Sequence, residues 1–80
     1  MLLDINDIEK KAVDFLQSKF SPKSIKVSSA NFGPLPHEAT VEGYLDDKDG
    51  VENAFEVSVS VRSAAVTGWK LTPVPHTHQG

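Results

Sequence analysis

Three histidines, a run of carboxylates and one His-Glu pair are the residues of this 80-residue chain whose types and spacing could do chemistry. His37 with His76-x-His78 offers three imidazoles, and zinc wants four donors in a tetrahedral shell. Two of the three fall in a short polar tail, and ordering three ligands from two flexible segments is costly, so no metal centre is expected. Asp47-x-Asp49-Gly50 with Glu56 reproduces positions three, five, six and twelve of a calcium-binding helix-loop-helix. Leu45 stands where the essential first aspartate belongs, and strand-forming sequence flanks the loop, so a carboxylate-rich hairpin turn is the expectation. His37 beside Glu38 supplies a general base and an acid without a nucleophile, an oxyanion donor pair or a glycine loop that cradles phosphate. Catalysis and a bound cofactor are therefore not expected.

Composition narrows the classes further. Cysteine is absent, which removes disulfides, thiolate nucleophiles and cysteine-based metal sites. No apolar run approaches the ~18 residues that span a bilayer, and Asp4 and Asp7 stand where a signal peptide would carry Lys or Arg. The expectation is a cytoplasmic protein with no membrane association, provided the chain is complete. The net charge of -3 is uneven: residues 31 to 56 hold seven acids against Lys48 alone. A phosphate backbone needs a basic face, so a nucleic acid is not the expected partner.

The elements that must position these residues are organised around Phe55-Glu-Val-Ser-Val-Ser-Val-Arg62. Phe55, Val57, Val59 and Val61 alternate with Glu56, Ser58, Ser60 and Arg62, the period-two signature of a strand with one buried face. Upstream, Ile8, Ala12, Phe15, Leu16 and Phe20 recur at helical spacing, with Asn6 as the expected cap and Pro22 as the stop. Ser24 to Ala30 alternates weakly, as an edge strand does, and Ala39 to Leu45 forms a second strand in which either Val41 and Leu45 or Tyr44 faces inward. Val66 to Thr72 is the fourth, with Trp69 and Leu71 inward and Pro73 at its end.

All the connections are too short for parallel crossovers. The fold class is therefore α+β: one N-terminal helix on a four-stranded antiparallel meander of order 1-2-3-4, in a single domain over 1–75 with a disordered tail over 76–80. Such a helix on an antiparallel sheet resembles the cystatin-like class, in which a helix lies in the concave face of a curved sheet. Cystatin inhibitors wedge a Gln-x-Val-x-Gly hairpin loop and a later Pro-Trp pair into a protease cleft, with a glycine ahead of the helix. Ala39-Thr40-Val41-Glu42-Gly43 keeps the valine and glycine, Trp69 follows Gly68 in place of proline, and the N-terminal glycine is missing. The resemblance thus implies a layout more than an activity.

The functional expectation is a small non-catalytic interaction or inhibitor-like module, monomeric or weakly dimeric, that meets a protein partner by surface complementarity. Its candidate contacts are Phe32, Leu35 and His37 in a proline-stiffened loop, and Asp46, Asp47, Asp49 and Glu52 in the acidic hairpin, whose charge would speed association with a basic partner. The alternative is a small-molecule or enzymatic cone between helix and sheet, lined by Tyr44 and Trp69.

If Val59 sits at the centre of the buried face, Val59→Asp places an unpaired charge in the core and unfolds a domain with only a few kcal/mol to lose. A thermal scan should then show no cooperative transition; a retained one would mean that the strand's faces are inverted.

Overall fold

The computed structural model of the chain describes residues 4–75. The tail assigned to 76–80, with His76 and His78, lies outside the described residues. The elements follow in the order α1 (Ile5–Phe20), β1 (Ser24–Phe32), β2 (Glu38–Asp46), β3 (Glu52–Ser60) and β4 (Val66–Pro73). The four strands form one antiparallel sheet of order β1-β2-β3-β4, and the helix covers one of its faces. No helix among the described residues is long and apolar enough to cross a membrane.

The helix is capped two residues earlier than expected. Asp4, not Asn6, is the N-cap: its side chain accepts the Asp7 N–H at 2.9 Å, satisfying one of the donors that a helix start leaves open. Both residues are good caps, but capping at Asp4 adds half-buried Ile5 to the face that carries Ile8 and Ala12. At the other end Ser21 turns left-handed at φ 50° and its N–H bonds the Gln17 carbonyl at 3.1 Å, so the helix closes ahead of Pro22.

Ile8, Ala12 and Leu16 are fully buried against Ala39, Val41 and Leu45 of β2 and Phe55, Val57 and Val59 of β3. Each large aliphatic side chain so buried contributes about 1.5–3 kcal/mol. Val41 and Leu45 therefore face the helix, and Tyr44 faces the opposite side, which resolves the ambiguity of β2. Trp69 also faces the helix, opposite Val57, and stacks edge-on against Phe20 at 5.2 Å and obliquely against Phe15 at 6.5 Å.

β3 spans Glu52–Ser60, three residues earlier at its start than the alternating run and two residues shorter at its end. The ladder to β2 stops at the pair Glu38–Ser60 because the next residue, His37, has φ 62° and cannot continue it. Val61 gives its N–H to the His37 carbonyl at 2.8 Å instead, and its side chain stays buried.

Both edge strands carry bulges, at Ser28 in β1 and at Thr67 in β4. Each bulge shifts the alternation by one residue. In β1 the inward face passes from Ile25 and Val27 to Ala30 and Phe32, the last opposite buried Ala39. Phe32 is thus the last residue of a strand and belongs to the helix side of the sheet, beyond the reach expected for a strand ending at Ala30.

β2 carries one position that only glycine can fill. A Cβ on Gly43 would overlap the Lys26 carbonyl oxygen and lie 2.8 Å from Phe55 Cζ and 2.9 Å from Val27 Cα. The Phe55 ring lies across the missing side chain. Gly43→Ala should cost about 2–3 kcal/mol by overpacking. Gly68→Ala, where a Cβ meets nothing within 4 Å, should stay within about 0.5 kcal/mol. Urea unfolding of the two variants checks this; equal midpoints would contradict the close approach at Gly43.

Candidate functional site

The seven expected contact residues do not form one surface. Phe32, Leu35 and His37 lie at the end of the sheet where β1 passes into β2, and Asp46, Asp47, Asp49 and Glu52 lie at the opposite end, where β2 passes into β3. The two pocket candidates are also apart. Tyr44 is on the outer face, beside Lys26 and Ala54 in the sheet, while Trp69 is on the helix face with Lys19 Nζ 5.3 Å from its ring centroid. The sheet itself lies between them. Val41 and Gly43, the residues shared with the inhibitor motif, sit in mid-strand under the helix and not at a hairpin tip.

At the acidic end, Asp47 builds the turn. Its Oδ1 accepts the N–H groups of Asp49 and Val51, each at 2.9 Å, and its own N–H bonds the Val51 carbonyl at 2.9 Å. Asn53 turns its amide to the same carbonyl at 3.1 Å, which accounts for a polar side chain on the buried face of β3. The Val51 N–H foremost, then the Asp49 N–H, the Asn53 amide and the Gly50 N–H, hold the Asp47 carboxyl below the usual carboxylate value against some opposing desolvation. Its acceptor capacity goes to its own loop. Glu56, the remaining member of the calcium pattern, lies along β3 opposite Glu42 and Lys70. Among the described residues no three metal-ligating side chains converge.

The other end is apolar and open. Phe32, Gly33, Leu35, Pro36, His37, Glu38 and Val61 line a groove of about 410 Å³. Phe32 and Leu35 are each 58% exposed, the most exposed large apolar side chains described, whereas Val61 at the groove's base is 5% exposed. Backbone bonds brace the loop that carries them. The Gly33 N–H reaches the Glu38 carbonyl at 2.7 Å, the Glu38 N–H reaches Leu35 at 3.3 Å, and Thr40 Oγ1 donates to the Gly33 carbonyl at 3.4 Å. Gly33, at φ 96°, occupies backbone space that favours glycine, and a cis peptide bond joins it to Pro34.

Three neighbours complete this end. His37 receives a hydrogen bond from Arg62 Nη2 on its Nε2 at 3.2 Å, and the two residues are 25 apart in the chain. Glu38 accepts the Thr67 hydroxyl at 2.8 Å, tying β2 to the bulge of β4. Arg62 was legible in the sequence only as the polar end of an alternating run, and Val61 only as core. Their being adjacent to His37 depends on the meander closing. The residue that signals this end is Phe32, an aromatic immediately before Gly-Pro-Leu-Pro, where a solvated loop would carry a polar side chain.

No protein-family model matches the chain, and neither a curated protein nor a solved structure matches it significantly.

Asp47 sets a pH dependence whose sign follows from its lowered value. A carboxylate with a folded pKa below its unfolded ~3.9 stabilises the turn above about pH 4, and that contribution is lost as pH falls through the folded value. The Val51 amide, which bonds Asp47 Oδ1, should therefore shift as pH falls through that acid range by clearly more than it does in Asp47→Asn, which keeps an acceptor oxygen but no proton equilibrium at this position. Identical titration curves in the two proteins would show that the turn does not depend on the carboxylate.

Proposed function

We propose that this chain is a small non-catalytic interaction module that engages a protein partner through the apolar groove of Phe32, Leu35 and Val61. The observation that carries this reading is the pair of exposed apolar side chains on a braced loop at the open end of the sheet. Leaving Phe32 and Leu35 largely in water forgoes burial of about 1.5–3 kcal/mol each, a cost that a partner surface would recover. Pre-organisation favours the same reading, because a loop held by its own hydrogen bonds loses little entropy on docking. A contact site on a fixed loop at one end of a sheet suits a binding surface better than a reaction centre, for which this end offers His37 without a nucleophile beside it.

The layout of one helix over an antiparallel meander resembles the cystatin-like arrangement, and this likeness is one of element order. The inhibitory wedge does not come with it: Val41 and Gly43 pack against the helix and β1, and Trp69 packs against Phe15 and Phe20. The acidic hairpin is a second surface, 30 Å or so away by the length of nine-residue strands, and it serves as an electrostatic guide rather than as part of the same contact.

Affinity capture from the native source separates the two ends. A partner held by the wild-type chain should be lost by Phe32→Ser/Leu35→Ser and retained by Asp46→Asn/Asp49→Asn/Glu52→Gln. A partner kept by the first variant and lost by the second would move the contact to the hairpin, and the absence of any saturable partner would contradict the reading.

A further inference from the structure

The connection from β2 to β3 carries a reactive pair that an interaction surface at the other end of the sheet leaves unused. Asp49-Gly50 is the one place in the chain where glycine follows an aspartate or asparagine. Every other aspartate precedes a residue that has a Cβ, as in Asp46-Asp47 and Asp47-Lys48. A backbone nitrogen can attack the side-chain carboxyl of the residue before it, and a glycine nitrogen, with no Cβ beside it, approaches most freely. Both residues are exposed, and a Cβ on Gly50 would meet nothing within 4 Å, so the surroundings leave room for a ring to form. Among the described residues the Asp49 carboxyl makes no hydrogen bond or ion pair, whereas the Asp47 carboxyl is spent on its own loop.

The backbone, by contrast, is held. The Gly50 N–H donates to the Asp47 carbonyl at 2.9 Å and closes a turn in which Gly50 takes φ 83°. On either side of it the Asp49 and Val51 N–H groups are fixed to Asp47 Oδ1, each at 2.9 Å. The nitrogen that would attack thus has its own proton engaged and both neighbouring amides tied to one carboxylate.

We propose that Asp49-Gly50 is a site of spontaneous isomerisation to isoaspartate, held in check by the Asp47 clamp while the hairpin is closed. When the turn opens, the Gly50 nitrogen bonds to Asp49 Cγ, and the carboxyl hydroxyl leaves with the amide proton as water, which gives a cyclic imide. Water then adds to one of the two ring carbonyls and breaks its C–N bond. Addition at Cγ restores aspartate; addition at the main-chain carbonyl leaves Gly50 attached through Cγ, as isoaspartate. The water lost in the first step is regained in the second, and no oxidant or catalyst takes part. The product keeps its mass and its negative charge, but its backbone now runs through Cβ and Cγ and is one atom longer. The pairing of Asp47 with Val51 that closes the loop does not survive that insertion, so the acidic hairpin changes shape at constant charge.

Ageing of the whole chain at neutral pH in water enriched in heavy oxygen tests this, because each passage through the imide leaves a label in Asp49 that peptide mapping by mass spectrometry reads. Label should enter Asp49 ahead of every other aspartate. In urea, where no opening step is needed, it should enter at least about tenfold faster than in the folded chain. Asp47→Ala should raise the folded-state rate by about fivefold, the worth of a net hydrogen bond, and Asp47→Asn, which keeps an acceptor oxygen, by clearly less. Unchanged amide shifts in β1 and β4 would verify that Asp47→Ala is folded; should it unfold, the folded and urea-unfolded wild-type chains make the comparison alone. Label entering another aspartate first would overturn the site. Equal rates in the folded and unfolded chain, or a folded Asp47→Ala no faster than the wild type, would overturn the clamp.

Discussion

The constraint on which the structure depends is a mismatch of lengths. One helix of sixteen residues, about 24 Å long, must cover the apolar face of strands of nine residues, about 30 Å long. Its C-terminal turn is fixed at the hairpin end, where Lys19 and Phe20 border Leu45, Asn53 and Leu71. The shortfall therefore falls at the other end. There the inner face continues past Ala39 and Val59 to Phe32 and Val61, and among the described residues no residue of α1 lines the groove that holds them. The groove is what remains of a hydrophobic face once α1 has been used.

Within the covered region, contact is close. Gly43 lets β1, β2 and the Phe55 ring converge at a point where any side chain would push them apart. The bulges at Ser28 and Thr67 then work at the two edges. They break the regular row of backbone donors and acceptors that would invite another strand, and they turn Phe32 and Val66 toward the helix side. Edge protection and the making of the groove thus share one device in β1. The same end is stitched by long-range bonds, His37 to Val61 and Arg62 and Glu38 to Thr67, so the apolar loop is carried on a frame and not on a free tether.

Much of the architecture was legible in the sequence because it follows from periodicity and connection length. The faultless alternation from Phe55 placed the central strand, the helical spacing from Ile8 placed the helix, and short links dictated an antiparallel meander of order 1-2-3-4. What escaped was whatever depends on residues distant in the chain. The extra residue at Ser28 breaks the alternation of β1, so the strand reads as weak and Phe32 reads as loop. Asn53 looks like part of a solvated turn until its amide is seen to bond the Val51 carbonyl from the buried face. Asp4 and Asn6 compete as caps, and the burial of Ile5 and Ile8 favours the earlier one. Of the site, Phe32, Leu35 and His37 were recognisable from a stiff apolar loop, but Arg62 and Val61 join them only through the fold, and the acidic hairpin proves to be a separate surface.

The central claim is that Phe32 belongs to the helix side of the sheet and is left in water because the helix stops short of it. Proton nuclear Overhauser contacts of the Phe32 ring, measured with and without a neutral soluble nitroxide, test this directly. The expected result is contact with Ala39 and Val61 together with strong nitroxide broadening of Phe32 and Leu35, while Leu16 and Val57 stay sharp. Contacts from Phe32 to the outer-face residues Thr40 and Ser60, or a Phe32 ring as protected as Val57, would contradict it.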